Sequence, residues 1–90
     1  MIEHFKLFLE FQTALVYAVW RGHVLVTNML LEAGADPNSG DSLIYAVKYN
    51  HSHVTSLLLK HDADVNNEDF LAVKMAAKYG NARLLFMLLK

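Results

Sequence analysis

Histidines and carboxylates are the residues of this chain best equipped for chemistry. His51, Ser52 and His53 stand together, and His61 follows with Asp62 and Asp64. Imidazole and carboxylate could share a metal ion. The spacing does not build such a site, because there is no cysteine and no two-plus-two ligand arrangement. No metal or cofactor is expected. Catalysis finds no support either. The chain lacks a phosphate-cradling glycine loop with Lys-Ser/Thr, a Gly-x-Ser-x-Gly elbow and a His-Glu-x-x-His pair. Asp62 and Asp64 fall among turn residues, where carboxylates serve solvation and capping. The protein is not expected to be an enzyme. Arg21, Lys48, Lys74 and Lys78 lie near Trp20, Tyr49 and Tyr79, a mixture that can hold a nucleic-acid strand by stacking and phosphate contact. The overall charge argues against it: eight Lys and Arg against nine Asp and Glu, net −1.

Binding is what remains, and the elements that would position it can be read. Ninety residues make one domain. Hydrophobic residues form 54% and charged residues 19% of the chain, with a mean hydropathy of +0.22. Disordered chains are poor in those apolar residues. No apolar run approaches the ~18 residues of a membrane span. The start, Met1-Ile2-Glu3-His4-Phe5-Lys6, puts an acid where a signal peptide needs positive charge. A soluble, intracellular, cytoplasmic domain without a membrane partner is the expectation.

Self-similarity sets the architecture. Gly22-His23 through Gly34-Ala35-Asp36-Pro37-Asn38 has a sibling in Asn50-His51 through Asp62-Ala63-Asp64-Val65-Asn66. A third copy runs from Gly80-Asn81 to Lys90. The spacings are 28 and 30 residues. Before each copy lies a shorter stretch, starting at Thr13, Asp41 and Leu71. Each unit reads as two helices. Leu15, Ala18, Val19 and Leu43, Ala46, Val47 form stripes at i, i+3, i+4. Val26, Met29, Leu30, then Val54, Leu57, Leu58, then Leu84, Met87, Leu88 do the same in the second helices. Thr27-Asn28 and Thr55-Ser56 then read as their solvent faces. Gly22, Asn50 and Gly80 suit the left-handed residue that ends a helix. Thr13 and Asp41 suit N-caps. The two additional residues of the third copy could lengthen either its first helix or its loop.

In these features the chain resembles the ankyrin repeat family over residues 13–90. The resemblance implies an all-α, ankyrin-like helical solenoid of stacked antiparallel helix pairs. Residues 1–12, with Ile2, Phe5, Phe8 and Leu9 on one stripe, form an N-terminal capping helix in this reading. Repeats then occupy 13–40, 41–68 and 69–90, the last ending after its outer helix. The family period is about 33 residues. The shorter spacing here, with only three residues from Asn38 to Asp41, implies that the family's β-hairpin fingers are reduced to tight loops. Its Thr-Pro-Leu-His opening is also altered: Ala14, Ser42 and Ala72 replace Pro, and Val16, Ile44 and Lys74 replace His.

The resemblance further implies non-catalytic binding of another protein through the concave face of the inner helices. Its most variable contact positions precede each helix-ending residue. Here they are Trp20-Arg21, Lys48-Tyr49 and Lys78-Tyr79. Each pair holds one aromatic and one cation, the composition of binding hot spots. Acids concentrate in the loops, at Asp36, Asp41, Asp62, Asp64, Glu68 and Asp69, leaving the first helices basic. A partner with an acidic surface is expected. Two alternatives stand beside this reading. One is an inhibitor or immunity-type protein that blocks an enzyme. The other is a homo-oligomer, a homodimer in its simplest form. Its contacts would be Leu85, Phe86 and Leu89 of the apolar last helix, with Phe5, Phe8 and Phe11.

Overall fold

The structure, a computed structural model, describes residues 2–90, without the side chains of residues 2–5 and 8. Six helices follow one another: α1 (Ile2–Arg21), α2 (Val24–Glu32), α3 (Ser42–Lys48), α4 (Ser52–Lys60), α5 (Asn67–Lys78) and α6 (Ala82–Leu89). A short 3-10 turn, Ser39–Asp41, leads into α3. No strand occurs among the described residues. The helices pair as α1/α2, α3/α4 and α5/α6. Within the stack, α3 packs between α1 and α5, and α4 between α2 and α6. An inner layer of three helices thus lies against an outer layer of three.

One local device closes the first five helices. Gly22, Gly34, Asn50, Asp62 and Gly80 all have positive φ. The residue after each donates its N–H five residues back: His23 to Ala18, Ala35 to Leu30, His51 to Ala46, Ala63 to Leu58 and Asn81 to Ala76. This is the Schellman arrangement, which satisfies carbonyls that the helix end leaves free. The two-helix unit is therefore written largely by where a left-handed residue is tolerated.

The core lies between the two layers. Leu15, Ala18, Val19, Leu43, Ala46, Val47, Val54, Leu58 and Leu84 are buried, as are Ala72 and Ala76. Small alanines at 18, 46 and 76 let neighbouring helices approach. The inner-helix stripes therefore match the sequence pattern.

Three expectations need correction. First, Val26 and Met29 are exposed, whereas Thr27 is buried. Thr55 is buried as well, its hydroxyl donating to the His51 carbonyl at 2.8 Å. Threonine is small enough to sit where outer helices press together, so it faces a neighbour and not solvent. Second, Thr13 is no N-cap. The helix of residues 1–12 and the first inner helix are continuous in α1, and the Thr13 hydroxyl donates to the Leu9 carbonyl at 3.2 Å within it. Third, Asp41 precedes α3 in a left-handed conformation without a side-chain capping bond. The cap that does form is Asn81, which accepts the Leu84 N–H at 3.0 Å. The two extra residues of the third copy fall at the start of α5, where Glu68, Asp69 and Phe70 all have positive φ. Phe5 and Phe8 lie outside the described side chains.

Polar side chains tie successive units together. Asn38 Oδ1 accepts the Asp64 N–H at 2.6 Å, so one turn holds the next. The turns themselves are alike: Asp36 Oδ1 accepts from Asn38 N and Asp64 Oδ1 from Asn66 N, both at 2.9 Å. Two of the loop acids thus shape turns. At the opposite end of the inner helices, His51 Nε2–H donates to the Trp20 carbonyl at 3.0 Å. Asn81 Nδ2 donates to Asn50 Oδ1 at 2.8 Å in the matching place one unit on.

Candidate functional site

The C-terminal ends of α1, α3 and α5 carry the three aromatic–cation pairs. Trp20 and Arg21 end α1, Lys48 ends α3 with Tyr49 just past it, and Lys78 ends α5 with Tyr79 just past it. All six are exposed, Trp20 at 46% of its surface and Tyr79 at 56%. Because α3 lies between α1 and α5, the pairs occupy one edge of the inner layer in sequence order. The ammonium of Lys48 stands 5.5 Å from the Tyr49 ring centre, and that of Lys78 stands 5.8 Å from Tyr79. Each lysine is thereby held against a ring face. The cations also complement the negative ends of their helix dipoles.

Between α1 and α3 this edge sinks into a groove of about 350 Å³, lined by Val16, Tyr17, Trp20, Tyr45, Lys48 and Tyr49. Tyr45 and Tyr49 lie one helical turn apart with ring centres at 6.4 Å and planes 19° from parallel. Tyr17 and Trp20, three residues apart, present their rings from α1. Gly40 closes against Val16: a Cβ at position 40 would lie 2.7 Å from Val16 Cγ2. Helix backbone is internally bonded, so the groove has no strand edge to offer. Ring faces, one ammonium and tyrosine hydroxyls must do the binding. No carboxylate lines it.

Trp20, Lys48 and Tyr49 meet in this groove, and Arg21 flanks Trp20 in sequence. Lys78 and Tyr79 lie further along, beyond its lining. Val16, Tyr17 and Tyr45 are groove members that the residue pattern alone did not single out. Their signal was present in the repeat register, since Tyr17 and Tyr45 occupy the same position of successive units. A larger, open depression of about 760 Å³ lies on the outer layer between α4 and α6. Lys60 and Lys90 share its lining with Asp62 and Asp64, so its charges oppose one another and no chemistry converges there.

Acids occupy the other end of the inner layer. Asp41 stands in the turn before α3 and Glu68 in the left-handed first turn of α5. The Asp41 carboxylate raises the Glu68 carboxyl above its ordinary value of 4.5, by repulsion and then by a hydrogen bond between the two groups. Two histidines touch neighbouring units: His51 is held to Trp20, and His61 lies 3.6 Å from Glu32. No group of three or more His, Asp or Glu among the described residues is placed to hold a metal ion. No helix among them is long and apolar enough to cross a membrane.

Comparison with curated proteins and with solved structures returns no significant match. The ankyrin repeat family model matches residues 11–42 and again 42–70. That covers most of the first two helix pairs, with their glycine and asparagine helix ends, and ankyrin repeats are non-catalytic modules that bind other proteins. The chain belongs to the ankyrin repeat family.

Proposed function

We propose that the inner-helix face binds a partner protein at the ends of α1, α3 and α5, with Trp20, Tyr49 and Tyr79 as anchors. Arg21, Lys48 and Lys78 select acidic groups on that partner. The observation that carries this reading is the aromatic groove of Val16, Tyr17, Trp20, Tyr45, Lys48 and Tyr49 without a carboxylate. Rings contribute large contact area with few rotors to freeze, and Lys48 makes the entrance attractive to carboxylates. The same ammonium disfavours a cationic ligand, which four π faces would otherwise attract. The groove sits on helices, so little ordering accompanies binding.

Trp20 is the only tryptophan, and its emission reports on the groove directly. Peptides selected from a display library on the wild-type chain can be titrated against it. The selected set should be rich in Asp and Glu around one apolar residue, and binding should shift Trp20 emission. Trp20→Ala, followed by a labelled peptide, should weaken binding by at least ~2 kcal/mol. Lys48→Glu should weaken it as well. Circular dichroism must show both variants folded. Unchanged affinity in folded Trp20→Ala, or a selected set without acidic bias, would overturn the proposal.

A further inference from the structure

Donors and acceptors are unevenly divided in the groove between α1 and α3. Trp20 brings an indole N–H and Lys48 an ammonium, and both groups donate only. The hydroxyls of Tyr17, Tyr45 and Tyr49 donate or accept. No carboxylate lines the groove. A helix ordinarily leaves its last carbonyls free, and the groove lies against the C-terminal halves of α1 and α3. Here those carbonyls are engaged. In α1, Ala18 accepts from His23 N, Val19 from Gly22 N and Trp20 from the His51 ring. In α3, Tyr45 accepts from Tyr49 N, Ala46 from His51 N and Val47 from Asn50 N.

A ligand matched to this lining offers carbonyls and few N–H groups, with apolar surface for four rings. Three backbone forms differ on that point. A docked helix bonds its carbonyls and N–H groups to one another, and leaves the donors of the groove unmatched. An added strand presents both kinds of group, and its N–H groups need the acceptors of a sheet edge, which this helical surface lacks. A proline-rich segment in polyproline II form has free carbonyls, and each proline has no N–H. The proline ring also has almost no rotor to freeze on burial. Charge sets a second condition. Lys48 lines the groove and Arg21 follows Trp20 at the end of α1, so the segment carries carboxylates. The groove volume of about 350 Å³ is at the small end of ligand sites, so a few residues fill it.

Resting on the groove reading above, we infer that the bound partner segment is an acidic, proline-rich stretch in the polyproline II form. Its prolines lie on the rings of Tyr17, Trp20, Tyr45 and Tyr49. Its carbonyls accept from the indole N–H and the tyrosine hydroxyls, and a flanking carboxylate meets Lys48. His51 contributes without touching the ligand, because its ring engages the Trp20 carbonyl and its N–H engages that of Ala46.

Three capped heptapeptides of equal charge test this. Each has two glutamates at either end, and the three central residues are all proline, all leucine or all alanine. They are titrated into the wild-type chain while Trp20 emission is followed. The proline peptide should bind about tenfold more tightly than the alanine peptide, because less backbone freedom is lost. It should also bind more tightly than the leucine peptide, although leucine is apolar too. Tyr49→Leu keeps the groove apolar but removes a ring and a hydroxyl, and should narrow the preference for proline. Lys48→Glu should weaken the proline and leucine peptides alike. Circular dichroism must match the wild type. Tyr17→Leu, at a position 61% exposed, takes the place of Tyr49→Leu if that variant misfolds. A leucine peptide that binds as tightly as the proline peptide would overturn the polyproline II form and leave the acidic groove reading standing. A preference for proline unchanged in both tyrosine variants would overturn it too, since the prolines then lie elsewhere. So would the absence of any Trp20 response to all three peptides at millimolar concentration, and the library selection then decides the groove reading by itself.

Discussion

The two seams between helix pairs are built to one plan but not to one quality. At the first, Gly22 ends α1 and the His51 ring lies against it, donating to the Trp20 carbonyl. Gly40 allows the following loop to close on Val16. At the second seam, Asn50 takes the place of Gly22, and Asn81 that of His51. The start of α5 has no glycine, and three side-chain-bearing residues in succession, Glu68, Asp69 and Phe70, are left-handed. A left-handed L-residue costs roughly 1–2 kcal/mol. Asp41 and Glu68 also repel across this seam. The comparison teaches that the repeat tolerates exchange of its polar bridges. Loss of a loop glycine, by contrast, is absorbed as backbone strain, which places the weaker junction between the second and third pairs.

The largest expected effect comes from matched glycines. A Cβ at Gly22 would lie 2.6 Å from the His51 ring, whereas nothing lies within 4 Å at Gly80. Both positions have positive φ, so both pay the left-handed penalty. Gly22→Ala should lose about 3 kcal/mol and Gly80→Ala about 1 kcal/mol in urea unfolding. Combining Gly22→Ala with His51→Ala should recover most of the difference, because the ring that clashes is gone. Equal losses at the two glycines would erase the distinction between the seams.

Much of this plan was legible in the chain. Gly22, Asn50 and Gly80 announce helix ends because few residues accept positive φ, and the alanine-centred inner stripes announce a close-packed layer. The outer-helix register was harder to read. Val26 and Met29 are apolar yet exposed, whereas Thr27 is buried because the space between outer helices is small. Hydropathy alone ranks those residues the wrong way round. Thr13 was misread because a hydroxyl that can cap a helix can equally bond the carbonyl four residues back. Of the candidate site, the terminal pairs follow from their position before each helix end. Tyr17 and Tyr45 become groove walls only once α1 and α3 are known to be neighbours in register.

The bridge at the second seam has a double role that the first lacks. Asn81 both caps α6 through Leu84 N and reaches Asn50. Asn81→Ala should therefore lose about 1–2 kcal/mol, chiefly through the cap. Asn81→Ser, which can cap but is too short to reach as far, should recover most of it. If Ser recovers nothing, the tie to Asn50 matters more than the cap, and the second seam is stronger than its loop suggests.

Backbone strain can be relieved directly. Asp69 is exposed, has φ of 55° and stands in the middle of the left-handed run. Asp69→Gly should raise stability by about 0.5–1 kcal/mol, the relief of the left-handed conformation less the greater freedom glycine gives the unfolded chain. The same substitution at exposed Lys74, inside α5, should lower stability by about 1 kcal/mol. Opposite signs in denaturant unfolding would locate strain in the loop; a loss at both positions would remove strain from the account of the second seam.

The smallest effect is electrostatic, and its sign is fixed by linkage. Glu68 is an acid whose folded value lies above its ordinary 4.5 because Asp41 stands beside it. Over the interval between those values the folded chain binds more protons than the unfolded one. Stability therefore rises as pH falls through the raised Glu68 value, and the repulsion is fully felt only above it. Glu68→Gln keeps a hydrogen-bonding group next to Asp41 and removes one charge. At neutral pH it should melt slightly higher than wild type. The gap should shrink as pH falls toward 4.5, and it should also shrink in high salt, because Glu68 is open to solvent. A gap that persists at low pH and high salt would trace the gain to the loop conformation at position 68, and the second seam would then be weak through its backbone alone.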